Sequence, residues 1–257
     1  MKKVLMIWSI GLLLVQGTIA QENIKKSIAI HKISKELLAG VGLDYIKQKD
    51  PDKTVYQKKV YDGESLALYA IAIGTGITNT FDSFPLEEFI FWKNGKAIVT
   101  PDEEKPFEVQ SGDYFIQAKG FKGSWNFVDI GGVHLELSLI AKNRAESPKK
   151  SPISQAMVID RNLISGVSNS KKDVDVIYQG AELNLKLIRT KEKVLNGTTP
   201  ERLMHILNGV VTITDDTTQE RQVFYPGDFF IIPNGFKGSW HSDSLQDLRM
   251  FEVSRAY

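Results

Sequence analysis

No cysteine occurs in the 257 residues. That excludes disulfides, thiolate metal sites, a cysteine nucleophile and a lipid-modified cysteine. Histidine is nearly as scarce: His31, His134, His205 and His241 are the whole supply. Neither charge sign dominates, with 32 Lys and Arg against 31 Asp and Glu. A basic nucleic-acid-binding surface and an acidic tail therefore both lack their signature, and no nucleic-acid partner is expected. The chain has no G-x-x-x-x-G-K-[ST], no H-E-x-x-H and no G-x-S-x-G. Those absences argue against a phosphate-cradling loop, a zincin helix and a nucleophile elbow.

What is present begins with the first twenty residues. Lys2 and Lys3 precede an apolar run from Val4 to Val15, and small residues follow up to Ala20. This is the pattern of a secretory signal peptide at 1–20, with Thr18-Ile19-Ala20 placing cleavage before Gln21. The run is short for a membrane span, and no other segment approaches the roughly 20 apolar residues that a span needs. Cleavage would remove two lysines and leave 30 basic and 31 acidic side chains. The expectation is a periplasmic or secreted bacterial protein with no membrane span after cleavage, held together by its own core.

The hexapeptide GFKGSW stands at Gly120–Trp125 and again at Gly235–Trp240, 115 residues on. Its flanks match as well. SGDYFIQAKGFKGSWNF in the first copy faces PGDFFIIPNGFKGSWHS in the second, and EEFIFWKNGKAIVT faces ERLMHILNGVVTIT. ISKELLAGVG at 33–42 resembles IDRNLISGVS at 159–168, and VYDGESLALYA resembles IYQGAELNLKL. The chain is thus a tandem duplication, a pattern that sets the fold before any single motif does. Boundaries follow at 21–145 and 157–257, with the polar, proline-containing stretch 146–156 as linker.

Segments within each unit are short. Leu183, Leu185 and Leu187 alternate with Asn184 and Lys186, and Val211 and Ile213 alternate with Thr212 and Thr214. Period two with one apolar face predicts strands. Asn94-Gly95 and Asn208-Gly209 carry the two-residue hairpin signal. Helix is expected only from Ile24 to Leu38, with Lys25, Lys26, Lys32 and Lys35 as its solvated face. Asn196-Gly197-Thr198 reads as a turn. The fold class is all-β.

Gly227-Asp228, the following strand and Pro233-Asn234-Gly235 resemble the second motif of the cupin superfamily. The fuller pattern, GD, six residues, GFKGSW, resembles the cupins that include the ureidoglycine aminohydrolase and ethanolamine-utilisation proteins. The first copy has Ala118 where the proline would stand. The resemblance implies two tandem cupin (double-stranded β-helix, jelly-roll) barrels preceded by a short helical segment. It also implies an interior metal held by histidines and a glutamate. Yet neither copy has H-x-H, and Gly123 and Gly238 stand where the second-motif histidine belongs. A divalent metal is therefore not the favoured cofactor, and the metal ligands stay unassigned.

The candidate site residues follow. Glu88 occupies a position where the resembling proteins carry a barrel-facing glutamate, and it is the candidate catalytic base. Glu136 is its nearest candidate companion, and His134 and His31 read as structural. Lys122, Trp125 and Tyr114 in the first half are candidate ligand-binding residues. Arg202, His205, Lys237, Trp240 and His241 are those in the second. Alternation puts Arg202 with Met204 on one face and His205 with Leu203 on the other. The hexapeptide reads either as a turn that plugs each barrel or as a pocket wall whose lysine attracts an anion; the first leads. The expected function is binding of a small polar or anionic metabolite without the usual histidine-rich metal site, with the first barrel preferred if only one is active. The alternative is a metal-assisted hydrolase or isomerase acting on a small nitrogenous or sugar-like substrate. A homodimer is also expected.

Overall fold

The structure, a computed structural model, describes residues 28–48, 50, 52–142, 151–166 and 172–256. The signal segment 1–20 and the first part of the linker, 146–150, lie outside these residues. In chain order the first half runs β1 (His31–Lys32), α1 (Lys35–Leu38), β2 (Asp44–Ile46), β3 (Val55–Asp62), β4 (Leu66–Gly74), β5 (Thr78–Phe81), β6 (Glu88–Asn94), β7 (Lys96–Pro101), β8 (Phe107–Gln110), β9 (Tyr114–Gln117), β10 (Gly123–Phe127) and β11 (Val133–Ala141). The second half runs β12 (Ala156–Val158), α2 (Arg161–Ser165), β13 (Val174–Gln179), β14 (Leu183–Ile188), β15 (Glu192–Asn196), β16 (Arg202–Asn208), β17 (Val211–Asp215), β18 (Arg221–Phe224), β19 (Phe229–Ile232), β20 (Lys237–His241) and β21 (Arg249–Arg255).

Each half is a two-sheet barrel. The first packs the seven-stranded sheet β12-β9-β6-β11-β4-β3-β2 on β5-β10-β7-β8. The second packs β1-β19-β16-β21-β14-β13 on β15-β20-β17-β18. Within a barrel, Ile90, Trp92, Phe115, Phe121 and Phe127 fill the first interior. Met204, Ile206, Phe230, Phe236 and Met250 fill the second. A third cluster joins the outer faces of the two large sheets, with Leu66, Leu68, Phe89, Phe91 and Leu137 meeting Leu183, Leu185, Leu187, Leu203 and Phe251. The barrels therefore pack sheet on sheet, as aligned sheets do.

Two exchanges fasten this contact. The arm before each repeat pairs with the other barrel: β1 adds to β19, and β12 adds to β9. The next amide on each arm continues the ladder, Ile33 to the Phe229 carbonyl at 2.9 Å and Ile159 to the Tyr114 carbonyl at 2.8 Å. The Gly-Asp turns serve the same joint. Asp113 caps its own turn through the Gln110 amide and receives Arg161 at 2.6 and 2.7 Å. Asp228 caps through Tyr225 and receives Lys32 at 2.8 Å.

The second exchange is a pair of buried carboxylates. Glu87 reaches into the β13–β14 turn, where it accepts from the amides of Ala181 (2.9 Å), Glu182 (3.3 Å) and Leu183 (2.9 Å). Burial pushes its carboxyl above the ordinary value, and these amides partly oppose the shift. Glu201 reaches into the β3–β4 turn, accepting from the Tyr61 hydroxyl, the Ser65 hydroxyl (3.0 Å) and the amides of Glu64 (3.2 Å), Ser65 (2.9 Å) and Leu66 (2.6 Å). Each turn has a glycine facing the carboxylate. A Cβ on Gly63 would lie 1.9 Å from Glu201 Oε1, and one on Gly180 would lie 1.9 Å from Glu87 Oε1.

Several local expectations change. The helix shrinks to Lys35–Leu38, because His31 and Lys32 are drawn into strand pairing; residues 24–27 lie outside the described part. Lys32 is thus an arm residue in an ion pair, not part of a helix face. Asn94-Gly95 and Asn208-Gly209 are not hairpin turns: β6 and β16 pair only within the large sheets, and β7 and β17 only within the small ones. Each glycine makes the corner between sheets at positive φ, 98° and 78°, where L residues with side chains are disfavoured.

Replacing Glu201 with alanine strands these donors in a buried joint, and each stranded group costs about 1–3 kcal/mol. The expected loss of unfolding free energy for Glu201→Ala is about 3 kcal/mol or more, measured by urea denaturation. A change below about 0.5 kcal/mol, the size expected of a surface substitution, would contradict the assignment.

Candidate functional site

The central strands of the large sheets have two buried faces, one lining a barrel and one lining the joint. On β6 the inward residues are Glu88, Ile90 and Trp92, while Phe89 and Phe91 face the joint. On β16 they are Arg202, Met204 and Ile206, while Leu203 and His205 face the joint. On β14 the leucines face the joint, leaving Asn184 and Lys186 on the barrel-lining side, where Lys186 reaches Glu252. The alternation there is as the sequence predicts, but the polar side lines the barrel because the apolar side is covered by the other barrel.

In the first barrel, Ser138 donates to Glu88 Oε1, and Gln117 stands opposite Glu88 in the β6–β9 register. Burial lifts the Glu88 pKa to about 8, and the neighbouring Glu136 charge adds to the rise. At neutral pH the group is mainly protonated, because burial favours its uncharged form. His134 Nε2 lies 2.5 Å from Glu136 Oε2, and its Nδ1 lies 3.0 Å from the Asn94 carbonyl. A carbonyl only accepts, so Nδ1 carries hydrogen, and one further proton serves the Nε2–Oε2 contact.

The second barrel has opposite chemistry at the corresponding place. Arg202 stands where Glu88 stands in the first copy. It is 2% exposed, and its Nη1 donates to Glu252 Oε2 at 3.0 Å. Lys186 Nζ lies 3.6 Å from Glu252 Oε1. Lys193 Nζ sits 5.1 Å from the centroid of the Trp240 ring. Its pKa is lowered by burial first and by the charges of Arg202 and Lys186 as well, against the opposing pull of Glu252. Three cations thus surround one carboxylate.

Six buried side-chain polar atoms among the described residues lack a hydrogen-bond partner: Trp92 Nε1, Trp125 Nε1, both amide atoms of Gln117, and Arg202 Nε and Nη2. All six belong to residues on the inward faces of the two barrels. Folded proteins leave few such groups unsatisfied, so the six mark where a guest or water is required.

The structure separates the candidate residues into three places. Glu88 and Trp125 line the first barrel, and Arg202 and Trp240 line the second. Tyr114 and His205 belong to the joint and line neither barrel: the Tyr114 hydroxyl bonds His205 Nδ1, and the imidazole stacks on Phe229 with centroids 3.6 Å apart. Burial lowers the His205 pKa to about 3. Lys122, Lys237 and His241 are exposed. His241 is held between Glu192 (3.1 Å) and Asp243 (2.5 Å). The hexapeptide lysines are thus on the surface and not among the residues that fill either interior. Phe121 and Phe236 plug the interiors, Gly120 and Gly235 take positive φ (88° and 80°), and Gly123 and Gly238 press on a neighbouring strand. Sequence reasoning missed Lys186, Lys193, Gln117 and Glu252. The polar members of the alternating strands were the available signal.

The EutQ-like cupin domain model matches the chain twice, at residues 77–130 and 195–245. Both halves have the fold of a cupin barrel. The fold is similar to a cupin 2 conserved barrel protein from Leptotrichia buccalis (TM-score 0.56, 13% identity, 82% of this chain and 92% of that one). It is also similar to protein Ylba from E. coli (0.57, 12%, 92% and 95%) and to a mutant form of Bacillus subtilis oxalate decarboxylase (0.51, 11%, 88% and 77%). No curated protein matches the chain in sequence.

The residues do not fit a cupin metal centre. Among the described residues no three His, Asp or Glu side chains form a metal-binding group. Nor is there room for the second-motif histidine. A Cβ at Gly123 would lie 2.3 Å from the Thr100 carbonyl oxygen, and one at Gly238 would lie 2.2 Å from that of Thr214.

The Glu88 shift has a signed consequence. Because its folded pKa lies above the unfolded value near 4.5, its contribution to stability is complete below about pH 4.5 and is lost as pH rises through about 8. Glu88→Gln, which cannot ionise, should match the wild type in thermal midpoint at about pH 5 and exceed it at about pH 8.5. Parallel midpoint–pH curves for the two proteins would refute the shift.

Proposed function

We propose that this bicupin binds a small anionic metabolite, a carboxylate, in the second barrel without catalysing its conversion. One observation carries the reading: Arg202 is buried, commits Nη1 to Glu252, and keeps Nε and Nη2 without a partner. Those two N–H groups form the side edge of the guanidinium, whose spacing matches the two oxygens of a carboxylate. Lys186 and Lys193 add positive charge beside it, and the half-buried Lys193 gains most from an incoming anion. Glu252 neutralises one of three cations and orients the guanidinium.

The metal-assisted hydrolase or isomerase has no comparable support, because the ligand set for its metal is missing among the described residues. The first barrel, preferred from the sequence, offers carboxyls where an anion needs cations.

Calorimetric titration with acetate and longer monocarboxylates tests the reading. Arg202→Lys keeps the charge but loses the edge, and it should weaken binding roughly 10- to 100-fold, the worth of a charged hydrogen bond of about 1.5–3 kcal/mol. Equal affinity in Arg202→Lys, or no carboxylate binding by the wild type, would refute it.

Export belongs to the same proposal and rests on the pattern of residues 1–20. The mature protein, expressed with its own leader in a bacterium, should begin at Gln21 by N-terminal sequencing; retention of Met1 would count against export.

A further inference from the structure

The anion site leaves four of the six partnerless atoms unexplained, and all four lie in the first barrel. They are three donors (Gln117 Nε2, Trp92 Nε1 and Trp125 Nε1) and one acceptor (Gln117 Oε1). Gln117 is fully buried and its inward face is shared with Glu88, its cross-strand partner. The counterpart of Trp125 in the second barrel, Trp240, donates its indole N–H to the Thr190 carbonyl at 3.1 Å. The free indole N–H is therefore particular to the first barrel and is not a consequence of the repeated hexapeptide.

We propose that the first barrel holds a second, separate site for a small neutral molecule bearing a primary carboxamide, paired edge to edge with the Gln117 amide beside Glu88.

The chemistry excludes the other classes in turn. An anion would face the carboxyls of Glu88 and Glu136 with no lysine or arginine among the core residues of this barrel. A cation offers only donors, and three donors here already lack acceptors. A neutral guest suits this interior, since the Glu136 carboxyl is already engaged by His134 at 2.5 Å and burial favours the uncharged form of Glu88. A carboxamide presents one acceptor and a donor pair along one edge. Its carbonyl takes the Gln117 N–H and an indole N–H, and its NH2 donates to Gln117 Oε1 and to a carboxyl oxygen. Because both Gln117 amide atoms are free, the pairing works in either orientation of that side chain. Buried polar sites of this kind discriminate strongly, since a guest lacking one partner leaves a protein group unpaired.

The test uses the full mature chain and acetamide as the probe, read by ligand-observed saturation-transfer NMR and by thermal unfolding, with methylammonium as the cationic comparison. Acetamide is expected to bind in preference to methylammonium. Gln117→Leu should weaken it about tenfold or more, equivalent to roughly 1.4 kcal/mol. Leucine removes an amide that has no protein partner, so the variant is expected to fold at least as stably as wild type. Should it not fold, the preference of the wild type between the two probes decides. Preference for methylammonium, an unchanged acetamide response in Gln117→Leu, or no response in the wild type would overturn the proposal. Acetate titrated into the same samples reads the Arg202 site independently, so either site can fail while the other stands.

Discussion

The reciprocal insertion of Glu87 and Glu201 into each other's hairpin turns is the constraint on which the rest depends. The apolar faces of the two large sheets supply attraction, but hydrophobic burial is non-directional and tolerates sliding. Each carboxylate fixes its partner's turn through three backbone amides, and a buried carboxylate without those amides would be costly. The facing glycines are part of the device, because any side chain on Gly63 or Gly180 would occupy the space of the carboxylate oxygen. The exchanged arms work in the same sense, tying each repeat's entrance to the other repeat's Gly-Asp turn.

Once the joint is fixed, the outer face of each large sheet is interior to the molecule. This changes what a strand's polar side is for. In an isolated sandwich, Asn184 and Lys186 would face water; here Lys186 lines the barrel with Glu252. The joint also absorbs residues that look functional by composition. His205 and Tyr114 bond each other between aromatic rings, and the burial that depresses the histidine's basicity keeps it a neutral packing element.

The barrels kept one frame and changed their contents. In the identical hexapeptide Gly123 and Gly238 make strand contacts that admit no side chain, and Gly120 and Gly235 turn the chain at positive φ. The inward positions carry no such constraint. Glu88 with Ser138 in one copy corresponds to Arg202 with Glu252 in the other. Five of the six unpartnered polar atoms, on Trp92, Gln117 and Arg202, fall at such divergent positions, and the sixth is on Trp125 of the shared hexapeptide; selection for a guest would act on the interior while selection for folding acts on the frame.

The sequence alone determined the duplication, the strand character of most segments, the placing of Arg202 and His205 on opposite faces of one strand, and the lack of the histidines that a cupin metal centre uses. These are local or periodic properties, readable from spacing and composition. It misread Asn94-Gly95 and Asn208-Gly209 as hairpins, because a glycine at positive φ serves a sheet-to-sheet corner equally well. It extended a helix across His31 and Lys32, whose strand state depends on pairing with Ile231 and Phe230 in the other half of the chain. Only the tertiary structure decided which of two buried faces met the other barrel. Glu87 and Glu201 therefore became clasps, His205 became packing, and Lys193 joined Arg202, because those outcomes depend on contacts between distant segments that no local pattern encodes.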